Sequence, residues 1–98
     1  MSSRNVYLSD HHRTLAPALF RTLQLLRRTV GDGERRMERL IDIGRERLAE
    51  TPEIELEYLE IVEANTLERV ETIENNVPLR ALIAARLGQT RLIDNLAV

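Results

Sequence analysis

Four adjacent residues, Ser2-Ser3-Arg4-Asn5, combine two hydroxyls, a run of backbone N–H groups and a guanidinium fork. Those are the donors that a polyphosphate needs gathered in one place. The same four polar residues near a terminus are more often a tail, and the types alone favour that reading. The other reactive residues are weaker candidates. His11-His12 is the only histidine pair in the chain, and adjacent residues on a helix point about 100° apart, which is poor geometry for gripping one metal. A structural or solvent-exposed role is expected for both. Asp94 sits beside Asn95, but no histidine or serine can be placed next to it, so it reads as an acid balancing an arginine rather than as a general base. Arg35, Arg36, Arg39, Arg45 and Arg47 crowd one segment, yet acids interleave with them and the chain has only 3% aromatic residues for base stacking. A nucleic-acid surface is not expected.

The elements that must position these residues follow from patterning. Ser9 is a candidate N-cap, and Leu15, Leu19, Leu23, Leu26 and Val30 then recur at helical spacing. Pro17 falls inside that pattern and should kink or restart the helix, and Gly31-Asp32-Gly33 ends it. A second helix is expected over 34–49, with Met37, Leu40, Ile41, Gly44 and Leu48 on its apolar side and a solvated charged face opposite. After Thr51-Pro52 the period changes from 3.6 to 2. Ile54-Glu55-Leu56-Glu57-Tyr58 alternates, so 54–62 reads as a strand, and 63–66 as a turn. The stretch 67–73 is either a short strand or a loop covering a sheet edge, and 74–78 is a break. Residues 79–87 and 90–98 flank Gly88-Gln89, which suits a type II′ hairpin turn. Counting outward sets Leu87 opposite Thr90, Arg86 opposite Arg91 and Ile83 opposite Asp94. Opposed arginines need an acid nearby, and Glu55 or Glu57 supplies one if 54–62 lies beside the hairpin. The expected fold class is α+β: two main helices packed on a small antiparallel sheet of about three strands with a C-terminal β-hairpin.

Composition bounds the function. The 98 residues have room for a single domain, with 43% apolar and 31% charged residues. The net charge of −2 argues against bulk attraction to nucleic acid or anionic lipid. Residues 1–50 carry ten arginines against seven acids, and 51–98 carry four arginines against nine acids. All fourteen bases are arginine, a compositional bias before it is a sign of anion binding. With no cysteine, disulfides and thiolate chemistry are excluded. No apolar run is long enough for a transmembrane helix, and Met1 to Asp10 lacks the apolar region of a signal peptide, so a cytoplasmic address is expected.

Four separated blocks carry a resemblance over essentially the whole chain. They are Met1-Ser2-Ser3-Arg4-Asn5-Val6-Tyr7-Leu8-Ser9, Ala16-Pro17-Ala18-Leu19, Tyr58-Leu59-Glu60-Ile61-Val62-Glu63 with Thr66-Leu67-Glu68, and Arg86-Leu87-Gly88-Gln89-Thr90-Arg91-Leu92-Ile93-Asp94-Asn95. In that order they resemble the C-terminal domain of pantothenate synthetases, also called pantoate–β-alanine ligases. The resemblance implies that 1–98 is a single lid domain and that a nucleotide-binding N-terminal domain is its missing partner. It implies an activity of the whole enzyme: pantoate and ATP, accompanied by Mg2+, give a pantoyl-adenylate and pyrophosphate, and β-alanine then forms pantothenate and AMP. ATP and magnesium would be bound mostly by the absent domain, and the lid alone would not catalyse.

By residue, the resemblance implies that Met1, Ser2, Ser3 and Arg4 contact ATP, in the part played by the second signature motif of class I aminoacyl-tRNA synthetases. Arg4 would stabilise the phosphate charge of the transition state, and Asn5 follows in register. Met1 matches the family's methionine and equally stands where a chain would begin. A free-standing protein-interaction domain of the same fold is the alternative, and self-association through an uncovered apolar patch is compatible with either.

Overall fold

A computed structural model describes residues 10–73 and 77–98. Ser9 and residues 74–76, read from sequence as a helix cap and part of a break, lie outside the described residues, as do Met1, Ser2, Ser3, Arg4 and Asn5.

The expected first helix is two. Helix α1 spans Asp10–Leu15 and α2 spans Pro17–Gly31. The division falls where the proline dictates. Pro17 has no N–H to donate to the preceding turn, and a proline is tolerated at the first position of a helix. Ala16 keeps helical dihedrals (φ −53°, ψ −38°), and its N–H still reaches the His12 carbonyl at 3.0 Å. The chain is therefore re-started with little change of local conformation.

Helix α3, Met37–Ala49, begins three residues later than the sequence pattern suggests. Arg36 is extended (φ −92°, ψ 122°) and forms a β-bridge with Thr72. The Ile73 N–H donates to the Arg35 carbonyl at 2.9 Å, and Met37 N–H donates to Glu71. A non-local backbone partner thus takes residues that local propensity assigns to a helix.

Three strands, β1 (Ile54–Glu63), β2 (Leu79–Leu87) and β3 (Thr90–Ala97), form one antiparallel sheet in the order β1-β2-β3. The β2–β3 hairpin has the expected register, with Leu87 opposite Thr90, Arg86 opposite Arg91 and Ile83 opposite Asp94. Gly88 has φ +65° and Gln89 does not share a positive φ, which is the pattern of a II′ turn. Strand β1 has an irregularity the alternation did not predict. Its register against β2 shifts between Leu56 and Tyr58, so Glu57 is an extra, bulged residue. The bulge explains the change of phase in the apolar pattern: Ile54 and Leu56 before it and Leu59 and Ile61 after it all pair with the row of β2 residues that faces the core.

Residues 67–73 form no strand. They run along the outer edge of β1 through a bridge between Val62 and Arg69 and a hydrogen bond from Val70 N–H to the Ile61 carbonyl. An edge that would otherwise be open is thereby covered. The turn into this segment places Leu67 at φ 62°, an uncommon conformation for a leucine, with its side chain exposed.

Both longer helices pack on one face of the sheet. Leu19, Leu23 and Leu26 of α2 and Leu40 and Leu48 of α3 meet Leu59, Ile61, Ala81, Ile83, Ala85, Leu87 and Leu92 in a single core. Thr22, fully buried, satisfies its hydroxyl by donating to the Ala18 carbonyl at 2.8 Å. Gly44 lets α3 lie close against the sheet. A Cβ there would collide with the Leu59 side chain and touch Thr22 at 3.5 Å. The fold class is the α+β arrangement expected from sequence.

Candidate functional site

The residues implied in phosphate binding, Met1, Ser2, Ser3 and Arg4, precede the described part of the chain. The first described element after them is α1, which begins at Asp10. Helix α1 has six residues and buries none of them. Leu15 packs half-buried against the core, and polar contacts add to it. His11 Nε2 donates to the Glu53 carboxylate, 2.9 Å to Oε1 and 3.1 Å to Oε2. His12 Nε2 lies 3.7 Å from Glu53 Oε2. The two rings are 5.9 Å apart between centroids and tilted by 41°.

Both imidazoles therefore address one carboxylate, which has two oxygens to offer. Glu53 stands in the turn between α3 and β1, and the His12 ring rests on Gly88 in the β2–β3 turn. A Cβ on Gly88 would come within 2.8 Å of the ring. Thr14 closes the helix onto itself by donating to the His11 carbonyl at 2.6 Å. The start of the described chain is thus tied to two turns of the domain that lie far away in sequence. The histidines tie α1 to Glu53, and among the described residues no group of three His, Asp or Glu side chains could hold a metal ion.

The remaining sequence candidates resolve on the sheet. Arg86 and Arg91 are opposed across β2 and β3, with Glu55 opposite Arg86 on β1. The acid they need comes from the bulge: Arg91 Nε donates to Glu57 Oε1 at 2.7 Å. That hydrogen bond, with the charge of Glu57 behind it, raises the Arg91 guanidinium above its ordinary value. Asp94 has no ion pair with an arginine among the described residues. Its Oδ1 instead accepts the Asn95 N–H at 2.8 Å, and Asn95 in turn accepts from Arg80 at 2.6 Å. Nothing in this set of groups resembles a nucleophile with its base.

Comparison with known proteins settles the kinship. The sequence profile of the family described as pantoate-beta-alanine ligase matches residues 1–97. The chain belongs to the pantoate-beta-alanine ligase family. It is 44% identical over 95 residues to a pantothenate synthetase of Syntrophotalea carbinolica, covering 97% of this chain and 33% of that protein. It is also 44% identical over 101 residues to a pantothenate synthetase of Rhodopseudomonas palustris, covering 34% of it. The crystal structure of the pantothenate synthetase of Thermus thermophilus superposes with a TM-score of 0.86 at 38% identity, over 98% of this chain and 34% of that one. The chain thus spans about a third of the length of these ligase relatives. The match includes Met1 to Arg4.

Two features of the site's surroundings are not legible in the sequence. The tie from His11 to Glu53 joins residues 42 positions apart, and no local pattern announces such a pair. Sequence marks Gly88 as a turn residue, but its second part, making room for the His12 ring, depends on α1 folding back across the hairpin. The one signal is compositional: the only two histidines stand side by side at the start of a helix.

Proposed function

We propose that this chain acts as the ATP-closing lid of a pantothenate synthetase, in which pantoate and β-alanine are joined through a pantoyl-adenylate at the expense of ATP. The observation that carries the reading is the continuous family match from residue 1 to residue 97, which includes the donor cluster Met1-Ser2-Ser3-Arg4. Its partner would be a nucleotide-binding domain of the same enzyme that supplies most contacts to MgATP, pantoate and β-alanine. The lid by itself would be inactive.

The chemistry suits the residues. When pantoate attacks the α-phosphorus, negative charge accumulates on the departing pyrophosphate. Donors aimed at that charge stabilise the transition state more than the ground state. Arg4 offers a planar fork for phosphate oxygens, and Ser2 and Ser3 offer hydroxyl or amide donors. The cluster contains no carboxylate, so it fits phosphate oxygens rather than the magnesium that accompanies ATP as part of the substrate. Carrying the donors on a separate domain lets closure exclude water from an acyl-adenylate that would otherwise hydrolyse. The tie from His11 and His12 to Glu53 would hold the base of the donor segment to the body of the lid.

The test is Arg4→Ala in a full-length ligase carrying this chain as its C-terminal part. Adenylate formation should slow by about 10²-fold or more, with pantoate binding little changed. An unaltered rate of adenylate formation would remove Arg4 from the role.

A second reading, a protein-interaction domain of the same fold, has one observation in its favour. On the sheet face opposite the helices, Tyr58, Ala84 and Ile93 share a row, and Ile93 is 52% exposed. Sedimentation as a concentration-independent monomer would dispose of self-association through this row.

A further inference from the structure

Helices α2 and α3 enclose an open groove of about 370 Å3 lined by Arg21, Gln24, Leu25, Arg28 and Arg47. The first four recur at i, i+3, i+4 and i+7, which places them on one stripe of α2. Arg47 comes from α3, one turn beyond Gly44, where α3 approaches Thr22 and Leu26 of α2 closely.

The charge in this groove is cancelled only in part. Arg47 donates to Glu50 at 2.9 Å. Arg21 and Arg28 form no ion pair or hydrogen bond with an acid among the described residues. Arg39 lies by Glu34, Arg69 by Glu60 and Arg91 by Glu57, so what sets the groove apart is that it gathers arginines of two helices into one space. Three guanidinium groups line the groove and no acid is among its lining residues, in a chain whose net charge is −2.

We propose that this groove is a binding site for a polyphosphate, separate from the segment Met1 to Arg4 and independent of the function proposed above. Arg21 and Arg28 are separated by about 10 Å along α2, within reach of two long side chains converging on one ligand. Guanidinium forks match phosphate oxygens in pairs, the Gln24 amide adds a neutral donor between them, and Leu25 supplies an apolar floor. Two or three phosphates joined directly concentrate their charge within a groove of this size. The carboxylates of an acidic peptide are spread along an extended backbone and cannot do so. Bound anion would also relieve the repulsion among the like-charged side chains.

The experiment is calorimetric titration of the chain with tripolyphosphate at low ionic strength, with orthophosphate and ATP as parallel arms. Saturable binding is expected, weakened by about tenfold or more in the double variant Arg21→Gln/Arg28→Gln. Circular dichroism verifies that the double variant is folded. Arg27→Gln, on α2 but outside the groove, should stay within about twofold of the parent. ATP binding tighter than tripolyphosphate, with the same dependence on Arg21 and Arg28, would assign the ligand as a nucleotide, and equal affinity would assign the inorganic chain. The proposal is overturned by absent saturation, by an unweakened double variant, by equal loss in Arg27→Gln, or by orthophosphate competing as well as tripolyphosphate.

Discussion

His12 lies on Gly88 with no space between them for a methyl group: a Cβ on the glycine would sit 2.8 Å from ring carbon Cε1 and 3.1 Å from Nδ1. One residue opens the described chain and the other turns the C-terminal hairpin, so this contact and the Glu53 carboxylate join three parts of the domain that sequence keeps apart. Gly88 is held by two constraints at once, its φ of +65° and the ring above it.

Replacing Gly88 with alanine should therefore cost about 1–2 kcal/mol, from the left-handed backbone and from displacement of the ring. Thermal denaturation of Gly88→Ala, His12→Ala and the double variant separates the parts. If the ring contact contributes, the double variant will be more stable than the sum of the single losses predicts. Strict additivity would show that only the backbone matters.

Gly44 offers a sharper steric test. A methyl group at this position meets the Leu59 side chain in the middle of the core, where packing is dense and overfilling typically costs about 1–3 kcal/mol. Gly44→Ala should destabilise the domain to urea by that amount. Adding Leu59→Val should recover part of the loss. Neutrality of Gly44→Ala would mean that α3 does not sit on the sheet at this point.

The pair between Arg91 and Glu57 is exposed and should be felt mainly through its salt dependence. Glu57 raises the guanidinium in the folded state. A raised base stabilises fully below its unfolded-state value and loses that contribution only as pH climbs through the folded one. For an arginine that window lies beyond the working range, so Arg91 itself should impose no pH dependence on stability between about pH 6 and 9. In Glu57→Gln the unfolding midpoint should fall slightly at low salt and converge with the parent at high salt. A difference that persists undiminished at high salt would show that the residue acts through the shape of the bulge instead.

These residues also show where sequence is a sufficient guide. The hairpin register was legible because Gly88-Gln89 is a two-residue turn whose chemistry fixes everything counted outward from it. The break at Pro17 was legible because a missing N–H has a local consequence. The bulge at Glu57 left a trace, the change of phase between Leu56 and Leu59, but strict alternation through Tyr58 masked it. The late start of α3 had no local trace, since its cause is a backbone partner at Thr72. The candidate site divides in the same way. Its proposed donor residues rest on residue type and family resemblance alone and lie outside the described residues. The histidine tie that follows them spans 42 residues and is a product of the fold.

If this chain completes the active site of a pantothenate synthetase, it should restore activity to the part of the enzyme it closes. The direct test is pantoate-dependent ATP–pyrophosphate exchange by a separately produced nucleotide-binding domain of the same enzyme, with and without the chain at high concentration. Exchange should rise on addition of the chain and should not rise with Arg4→Ala. Exchange that is unchanged by the folded chain, or raised equally by the Arg4→Ala variant, would contradict the lid function.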